Sequence, residues 1–191
     1  MSLKDRAAIV GIGETEYVRG ATRGSVEMML EAARAAIDDA GLRPQDIDGV
    51  IPPPVMLTAE EVAANLGIED LRYAVTVNMG GASPTSALQS AALAVANGLA
   101  KNVLVLVGWL GYSAMRPNPG VRRESLSLAA MQRTMTGYYV PFGVTAPVQM
   151  YSWIAMRHMK TYGTKYEDMA AIALACNKHA QLNDRAVMKG K

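Results

Sequence analysis

The length, composition and charge of the chain exclude several classes of protein. Its 191 residues are 50% hydrophobic, enough for one substantial core, and the formal net charge of +2 gives no electrostatic basis for binding nucleic acid or an anionic membrane surface. The single cysteine, Cys176, excludes an intrachain disulfide and a multi-cysteine metal site. No long uninterrupted apolar run and no signal peptide is recognisable, so we expect a cytoplasmic protein without an inserted membrane segment.

The first third of the chain predicts two strands and two helices. Residues 7–13 are apolar and end in glycine, which predicts a buried first strand whose last backbone units pass a neighbouring element closely. Small and apolar residues recur at helical spacing over Ser25–Asp39, and Gly41 stands where a C-terminal glycine is expected. Residues 46–52 predict a turn into a short second strand, and a second helix is predicted over Ala59–Leu66.

The middle of the chain predicts two further strands around a helix. The β-branched stretch at residues 73–77 predicts a third strand that leads directly into a loop at residues 78–83. Ser83 is the predicted N-cap of the next helix, which ends near Gly98, and residues 102–108 predict a fully buried fourth strand. Successive strand–helix–strand units predict an α/β fold with a mostly parallel sheet covered by helices.

The last third of the chain differs because residues 109–143 lack sustained periodicity. Two helices are predicted after this segment, at about residues 148–162 and 167–182. We therefore divide the chain into an α/β core, residues 1–108, and a mainly helical region, residues 109–191.

The loop at residues 78–83 is the first candidate for a functional site. A loop that leaves a parallel strand and enters a helix lies where open α/β sheets bind ligands. Gly80 and Gly81 permit close backbone approach, and the first amides of the helix favour negative charge or a developing oxyanion. On the pattern alone, a tight turn with Ser83 acting only as a helix cap is an equal alternative.

Several sequence motifs occur in an order that is more specific than any one of them. They lie at residues 7–16, 31–42, 46–49, 78–88, 98–106, 141–143, 162–164 and 179–183. Together they resemble the first half of the thiolase superfamily, in its branch of lipid-transfer and sterol carrier protein X-associated thiolase-like proteins. The resemblance covers nearly the whole chain. It implies the N-terminal half of a thiolase-like fold, with part of the loop domain that the family inserts after its fourth strand.

This resemblance implies what the loop can and cannot do. In thiolases the loop carries a cysteine that acyl-CoA acylates, and the matching position here is Gly81. A glycine cannot be acylated, so no catalytic residue is assigned to this chain. Cys176 lies in a predicted late helix among small and apolar residues, and we interpret it as a buried, inert thiol. Ser83 has no visible base beside it and stays a predicted cap.

Two functions remain open on the resemblance. The first is an enzyme acting on acyl-CoA thioesters, either related to acetyl-CoA acetyltransferase or cleaving the C–C bond of a lipid or sterol side chain by retro-aldol chemistry. Its acid–base residues are then expected in the second half of the family fold. The second is a non-catalytic subunit that binds acyl-CoA or supports a heteromeric thiolase-like complex. A glycine at position 81 fits both functions.

The resemblance also implies a substrate, a coenzyme A thioester, with no covalently bound cofactor. The loop is expected to bind it, and an aromatic-rich segment either lines it or belongs to ordinary packing. These substrate-binding candidates are Asn78, Gly80, Gly81, Ala82, Ser83, Tyr138, Tyr139, Phe142 and Met150. Basic residues between the two groups are either solvated or positioned for a CoA phosphate. They are Arg116, Arg122, Arg123 and Arg133.

Metal ions and macromolecular partners receive separate predictions. His158 and His179 lie on different predicted helices without the spacing of metal ligands, so no metal site is predicted. Half of a thiolase-like fold would expose apolar helix faces, and we expect a homodimer or a higher oligomer. The family resemblance further implies a small zinc-ribbon and OB-fold partner protein.

Overall fold

The computed structural model of the chain describes residues 3–18, 20–54, 56–109, 135–144 and 146–191. It consists of two compact units, Met1–Glu124 and Ser125–Lys191. The division of the chain into an α/β core of residues 1–108 and a helical region of residues 109–191 remains a prediction. The regular elements described in the first unit, in chain order, are α1 (Ser25–Asp39), β1 (Gly49–Ile51), α2 (Ala59–Leu66), β2 (Tyr73–Ala74), α3 (Ser83–Ala96) and β3 (Val103–Val105).

The three strands form a parallel sheet in the order β2–β1–β3. Gly49 pairs with Tyr73 on one side and with Val103 on the other. The mostly parallel sheet predicted from the strand–helix–strand pattern is confirmed. Because β1 is the central strand, all three of its residues are buried, as expected of a parallel strand with helices on both faces.

Helices cover both faces of the sheet, and the alternation of side chains along β1 assigns each residue to one of them. Val50 packs with residues of α1 and α2, including Ile37 and Val62, in the larger apolar cluster. Ile51 packs on the opposite face with Ala87 and Ala91 of α3. The first unit is therefore a three-layer α/β/α arrangement, in agreement with the predicted fold class.

A buried carboxylate fixes the register of β1 and β3 at their starts. Asp48 is buried, and its side chain accepts hydrogen bonds from the backbone amides of Lys101 at 2.8 Å and Asn102 at 2.8 Å. These amides belong to the turn that enters β3, so one side chain joins segments more than fifty residues apart. A buried carboxylate satisfied by backbone donors stabilises the turn without an ion pair.

The predicted first strand is the main correction to the expected fold. Residues 7–13 are not paired in the described sheet, and Ile9 and Val10 are 71% and 62% exposed. The predicted close approach is nevertheless confirmed, because a Cβ added at Gly11 or Gly13 would collide with the backbone of α1. The segment therefore packs on α1 through its glycines, and none of the described strands pairs with its edge.

Two other strands are shorter than predicted, and one of them is also less buried. The third strand is assigned only at Tyr73–Ala74, although residues 73–77 were predicted. The fourth is assigned at Val103–Val105, and only Leu104 of these is buried, so the prediction of a fully buried strand was wrong. The physical reason is that β3 lies at an edge of the described sheet.

The second unit is helical in its described residues. A π-helical turn at Met135–Tyr139 and a 3₁₀ turn at Val140–Phe142 precede α4 (Pro147–Tyr162) and α5 (Tyr166–Gln181). The two predicted helices are thus confirmed, with Gly163 ending α4 in a left-handed conformation at φ 69°. Neither helix buries a residue. Among the described residues, none of the helices is long and apolar enough to cross a membrane.

Candidate functional site

The loop at residues 78–83 connects the segment after β2 to α3, as predicted. Gly80 adopts φ 58°, a left-handed conformation that strongly favours glycine, and opens a 3₁₀ turn, Gly80–Ala82, that runs directly into the helix. Asn78, Met79, Gly81 and Ala82 are all exposed. The loop therefore presents its backbone to solvent at the end of the sheet where parallel α/β folds place their ligands.

Ser83 has a different role from the predicted one. It is the first residue of α3 and is buried, and its Oγ accepts a hydrogen bond of 2.8 Å from the backbone amide of Met79. No side chain caps the helix, so the predicted cap at Ser83 is wrong. The hydroxyl closes the loop instead, which removes it from the surface where a nucleophile has to act.

The backbone amides of Gly80 and Gly81 are the donors that this loop offers to a ligand. Within the described residues, neither amide donates to a protein acceptor. The first turn of α3 contains no acidic residue, so the positive end of the helix dipole is not neutralised there. Exposed amides at an uncapped helix N-terminus suit an anion or a carbonyl oxygen that gains negative charge.

Gly81, which the family resemblance predicts to match the thiolase cysteine, has room for a side chain. A Cβ built on Gly81 meets no heavy atom within 4 Å, and its φ lies outside the left-handed range. Neither steric crowding nor backbone strain therefore requires glycine here. A larger side chain could therefore be accommodated at this position of the loop.

The N-terminus of the neighbouring helix, α2, carries acidic side chains in its first turn, unlike that of α3. It borders a cavity of about 500 Å³ that residues 56–61 and 74–76 line. The amide of Glu60 and then the hydroxyl of Thr58 donate to the Glu60 carboxylate and hold its pKa below the ordinary value. The carboxylates of Glu60 and Glu61 make this cavity unfavourable for the phosphates of coenzyme A.

The aromatic candidates form a group within the second unit. The rings of Tyr138 and Tyr139 meet edge to face with centroids 5.3 Å apart, and Phe142 lies 6.0 Å from Tyr138. Trp153 joins them at 6.2 Å from Tyr139, a neighbour that the sequence reasoning missed. Its position on α4 one turn after Met150 was the available signal. Met150 is partly buried and makes none of these ring contacts.

The remaining candidates are the cysteine, a histidine and the four arginines. Cys176 is exposed on α5, so the prediction of a buried thiol was wrong. The reason is that α5 buries none of its residues in the described structure. The ring of His158 contacts Tyr162, and the described residues contain no cluster suited to a metal ion. Arg116, Arg122, Arg123 and Arg133 lie outside the described residues.

The chain is similar to known proteins over nearly its whole length. The model of the thiolase N-terminal domain matches residues 7–188. A steroid side-chain-cleaving aldolase from Thermomonospora curvata is 35% identical over 96% of the chain, and a 17-hydroxy-3-oxo-4-pregnene-20-carboxyl-CoA lyase from Mycobacterium tuberculosis is 32% identical over 99%. The chain spans about half the length of these relatives, 47% and 49%.

A solved structure extends the similarity to three dimensions. The structure described as an Ltp2-ChsH2(DUF35) aldolase superposes with a TM-score of 0.81 at 34% sequence identity, over 95% of this chain and 45% of that one. The sequence motifs and the three-layer fold agree with these matches. The chain therefore belongs to the thiolase family, through its thiolase N-terminal domain.

Proposed function

We propose that this chain supplies the N-terminal half of an enzyme that cleaves a C–C bond of an acyl-CoA thioester by retro-aldol chemistry. The observation that carries the proposal is the exposed loop around Gly81, where two amides find no acceptor among the described residues and no nucleophile is present in the loop. An acyl-enzyme cannot form there, whereas stabilisation of a thioester oxygen needs only donors. The names of two relatives, a side-chain-cleaving aldolase and a carboxyl-CoA lyase, support the same class of reaction.

The proposed reaction needs a substrate with a hydroxyl on the carbon β to the thioester. A base removes the hydroxyl proton, the oxygen lone pair forms a ketone, and the bond between the α and β carbons breaks. The electron pair of that bond moves onto the thioester as an enolate, and protonation of the α carbon releases a shortened acyl-CoA. The amides of Gly80 and Gly81 are proposed to hold the enolate oxygen. The family resemblance assigns the base to the half of the fold that this chain does not span.

We further propose a bulky polycyclic acyl group, such as a steroid side-chain thioester, as the substrate class. The names of the steroid side-chain-cleaving aldolase and of the carboxyl-CoA lyase support this choice. Tyr138 and Phe142 present apolar rings that are 64% and 78% exposed, which suits contact with a large apolar ligand. A partner protein is also part of the proposal, because the similar solved aldolase contains two named proteins, Ltp2 and ChsH2(DUF35). The oligomeric state is likewise proposed to be a homodimer or higher.

The test compares two thioesters with the protein as isolated from its source. One is a steroid β-hydroxyacyl-CoA, and the other is acetoacetyl-CoA supplied with free CoA. We expect a ketone and a shortened acyl-CoA from the first, and no thiolysis and no acylated protein from the second. Chromatography of the products and the intact mass of the protein provide the readouts.

Two outcomes would overturn the proposal. Thiolysis of acetoacetyl-CoA together with an acylated protein would identify a thiolase with a nucleophile elsewhere. Binding of both thioesters with no bond cleavage, under conditions that saturate the protein, would favour the non-catalytic acyl-CoA-binding subunit.

A further inference from the structure

Three glycines in the described part of the chain are required neither by backbone conformation nor by packing. Glycine is favoured where φ is positive or where a Cβ would collide with a neighbouring group. Gly24, Gly81 and Gly137 meet neither condition, because a Cβ built on each finds no heavy atom within 4 Å and none has a left-handed φ. Of these three, Gly81 lies in the exposed loop at residues 78–83.

Gly81 is also an unfavourable residue for the turn that contains it. It lies in the 3₁₀ turn Gly80–Ala82, where alanine fits as well as glycine. Glycine loses more conformational freedom on folding than alanine does. Gly80 differs, because its φ of 58° favours glycine. The fold therefore explains the glycine at position 80 but not the one at position 81.

Amide donation does not explain Gly81 either. A hydrogen bond to a thioester oxygen uses the backbone N–H, which every residue except proline has. Glycine adds only the free space beside that N–H. We propose that this space receives an alkyl substituent on the α carbon of the acyl-CoA, so that Gly81 determines specificity for α-branched acyl groups.

Bond geometry places the α carbon of the thioester close to residue 81. This inference rests on the proposed function, in which the amides of Gly80 and Gly81 hold the thioester oxygen. A hydrogen bond brings that oxygen to about 2.9 Å from the amide nitrogen. The α carbon lies two bonds from the oxygen, and a Cβ on residue 81 would lie two bonds from the nitrogen. A substituent on the α carbon and a side chain at position 81 therefore compete for the same space.

This competition separates branched from unbranched acyl groups. Carbon atoms make favourable contact at about 3.5–4.0 Å and repel each other at shorter distances. An unbranched thioester has two hydrogens on its α carbon and can turn them toward an alanine methyl group. A branched thioester has an alkyl group in place of one of these hydrogens. Alanine at position 81 thus rejects the branched group, whereas glycine admits both.

The backbone around Gly81 is held in place and cannot easily move away from a substituent. The hydroxyl of Ser83 accepts from the amide of Met79 at 2.8 Å, and the amide of Ala82 donates to the carbonyl of Met79 at 3.2 Å. Ser83 is itself buried at the start of α3. These two bonds enclose Gly81, and a fixed backbone converts a small steric difference into a difference in affinity.

Two isomeric thioesters test the inference in the protein as isolated from its source. Isobutyryl-CoA is branched at the α carbon and butyryl-CoA is not, and neither has the β-hydroxyl that the proposed reaction needs. Calorimetric titration gives the affinity of wild type and of Gly81→Ala for each thioester. We expect G81A to bind isobutyryl-CoA at least about tenfold more weakly, and butyryl-CoA less than about twofold more weakly. Equal weakening of both, no change in either, or no binding of isobutyryl-CoA to wild type would overturn the inference.

A matched glycine and a stability measurement control for indirect effects. Gly24→Ala makes the same change at an open position before α1, and we expect both affinities to stay at the wild-type values. The same selective loss in G24A would overturn the inference. The urea midpoint of G81A should equal or exceed that of wild type. A lower midpoint would show that the fold requires glycine at position 81, which would overturn it as well.

The product assay with the steroid β-hydroxyacyl-CoA distinguishes failure of this inference from failure of the proposed function. If wild type does not cleave that thioester but G81A selectively loses isobutyryl-CoA, the proposed reaction is wrong and the specificity of Gly81 is supported. If wild type cleaves it and G81A does not discriminate between the two isomers, the reaction is supported and this inference is wrong.

Discussion

The N-termini of α2 and α3 follow neighbouring parallel strands but are built in opposite ways. At α2, the hydroxyl of Thr58 accepts from the amide of Glu61 at 3.2 Å, and the Glu61 carboxylate accepts from the amide of Thr58 at 2.8 Å. This is a complete capping box, with acidic residues in the first turn. At α3, no side chain caps the helix, and no acidic residue occurs in its first turn.

The difference shows which of the two helix ends is available for a ligand. The first amides of α2 are occupied by its own side chains, so this end has a structural role. In the turn before α3, Ser83 closes the loop internally, and the amides of Gly80 and Gly81 have no acceptor in the part of the chain that the structure describes. Stability at one end and unused hydrogen-bonding capacity at the other indicate that only the second is suited to binding an oxygen of a substrate.

The largest expected effect comes from placing a thiol at the open end. In Gly81→Cys, the new side chain has free space, and the helix N-terminus should lower its pKa relative to an ordinary thiol. We expect its alkylation by iodoacetamide at neutral pH to be about tenfold faster than that of Cys176. Peptide mass spectrometry measures both thiols in the same molecule, so Cys176 is the internal control. Equal rates would contradict an electropositive loop.

The next effect is on the hydrogen bond that shapes the loop. Ser83→Ala removes the acceptor of the Met79 amide, and we expect the free energy of unfolding to fall by about 1 kcal/mol. Turnover of the steroid thioester should fall as well, because the amides of Gly80 and Gly81 lose their fixed direction. Urea denaturation and the product assay test the two effects. Ser83→Thr retains the hydroxyl and is the control, and activity of S83A equal to that of wild type would show that the loop geometry is irrelevant to the reaction.

Removing the cap of α2 should affect stability alone. Thr58→Ala deletes the capping acceptor, and we expect a loss of about 1 kcal/mol in the free energy of unfolding with turnover unchanged. Thr58→Ser keeps the hydroxyl and should be close to wild type. A loss of turnover in T58A without a loss in T58S would mean that the α2 end also contributes to the site.

An acidic residue in the first turn of α3 should make the charge at its N-terminus similar to that at the N-terminus of α2. Thr85 is exposed at the third position of α3, and Thr85→Glu places a negative charge in the first turn. We expect a gain in stability of a few tenths of a kcal/mol from the helix dipole, together with weaker binding of the thioester. Thr85→Gln has the same length without the charge and serves as the control. Tighter binding in T85E than in T85Q would contradict stabilisation of negative charge at this end.

The smallest expected effect is the acid response of α2. The Glu60 pKa is lowered in the folded protein by hydrogen bonds from its own amide and from Thr58. A lowered pKa stabilises the fold above the ordinary value of 4.5, and this contribution is lost as pH falls from that value through the folded pKa. Carboxyl carbon shifts recorded by NMR should give a titration midpoint for Glu60 below the ordinary value of 4.5. A midpoint at or above that value would contradict the hydrogen bonds.

Local patterns were sufficient to predict the helices and the loop. The bounds of α1 and α2 match the prediction, because apolar spacing, capping residues and a following glycine act within one or two turns of the chain. The loop at residues 78–83 was also identifiable, since a strand, a glycine pair and a helix occur there in direct succession. These features depend on neighbours in sequence.

Features that depend on distant neighbours were decided by the tertiary structure. Residues 7–13 have the composition of a buried strand, but strand pairing requires a partner, and none of the described strands pairs with them. Serine is a residue type that often caps helices. The hydroxyl of Ser83 instead accepts a hydrogen bond from the amide of Met79, because the 3₁₀ turn brings that amide within reach. Cys176 has apolar neighbours, but burial depends on what covers α5. The sequence by itself thus determined helices, loop and family, whereas strand pairing, burial and the open amides followed from contacts between separate segments.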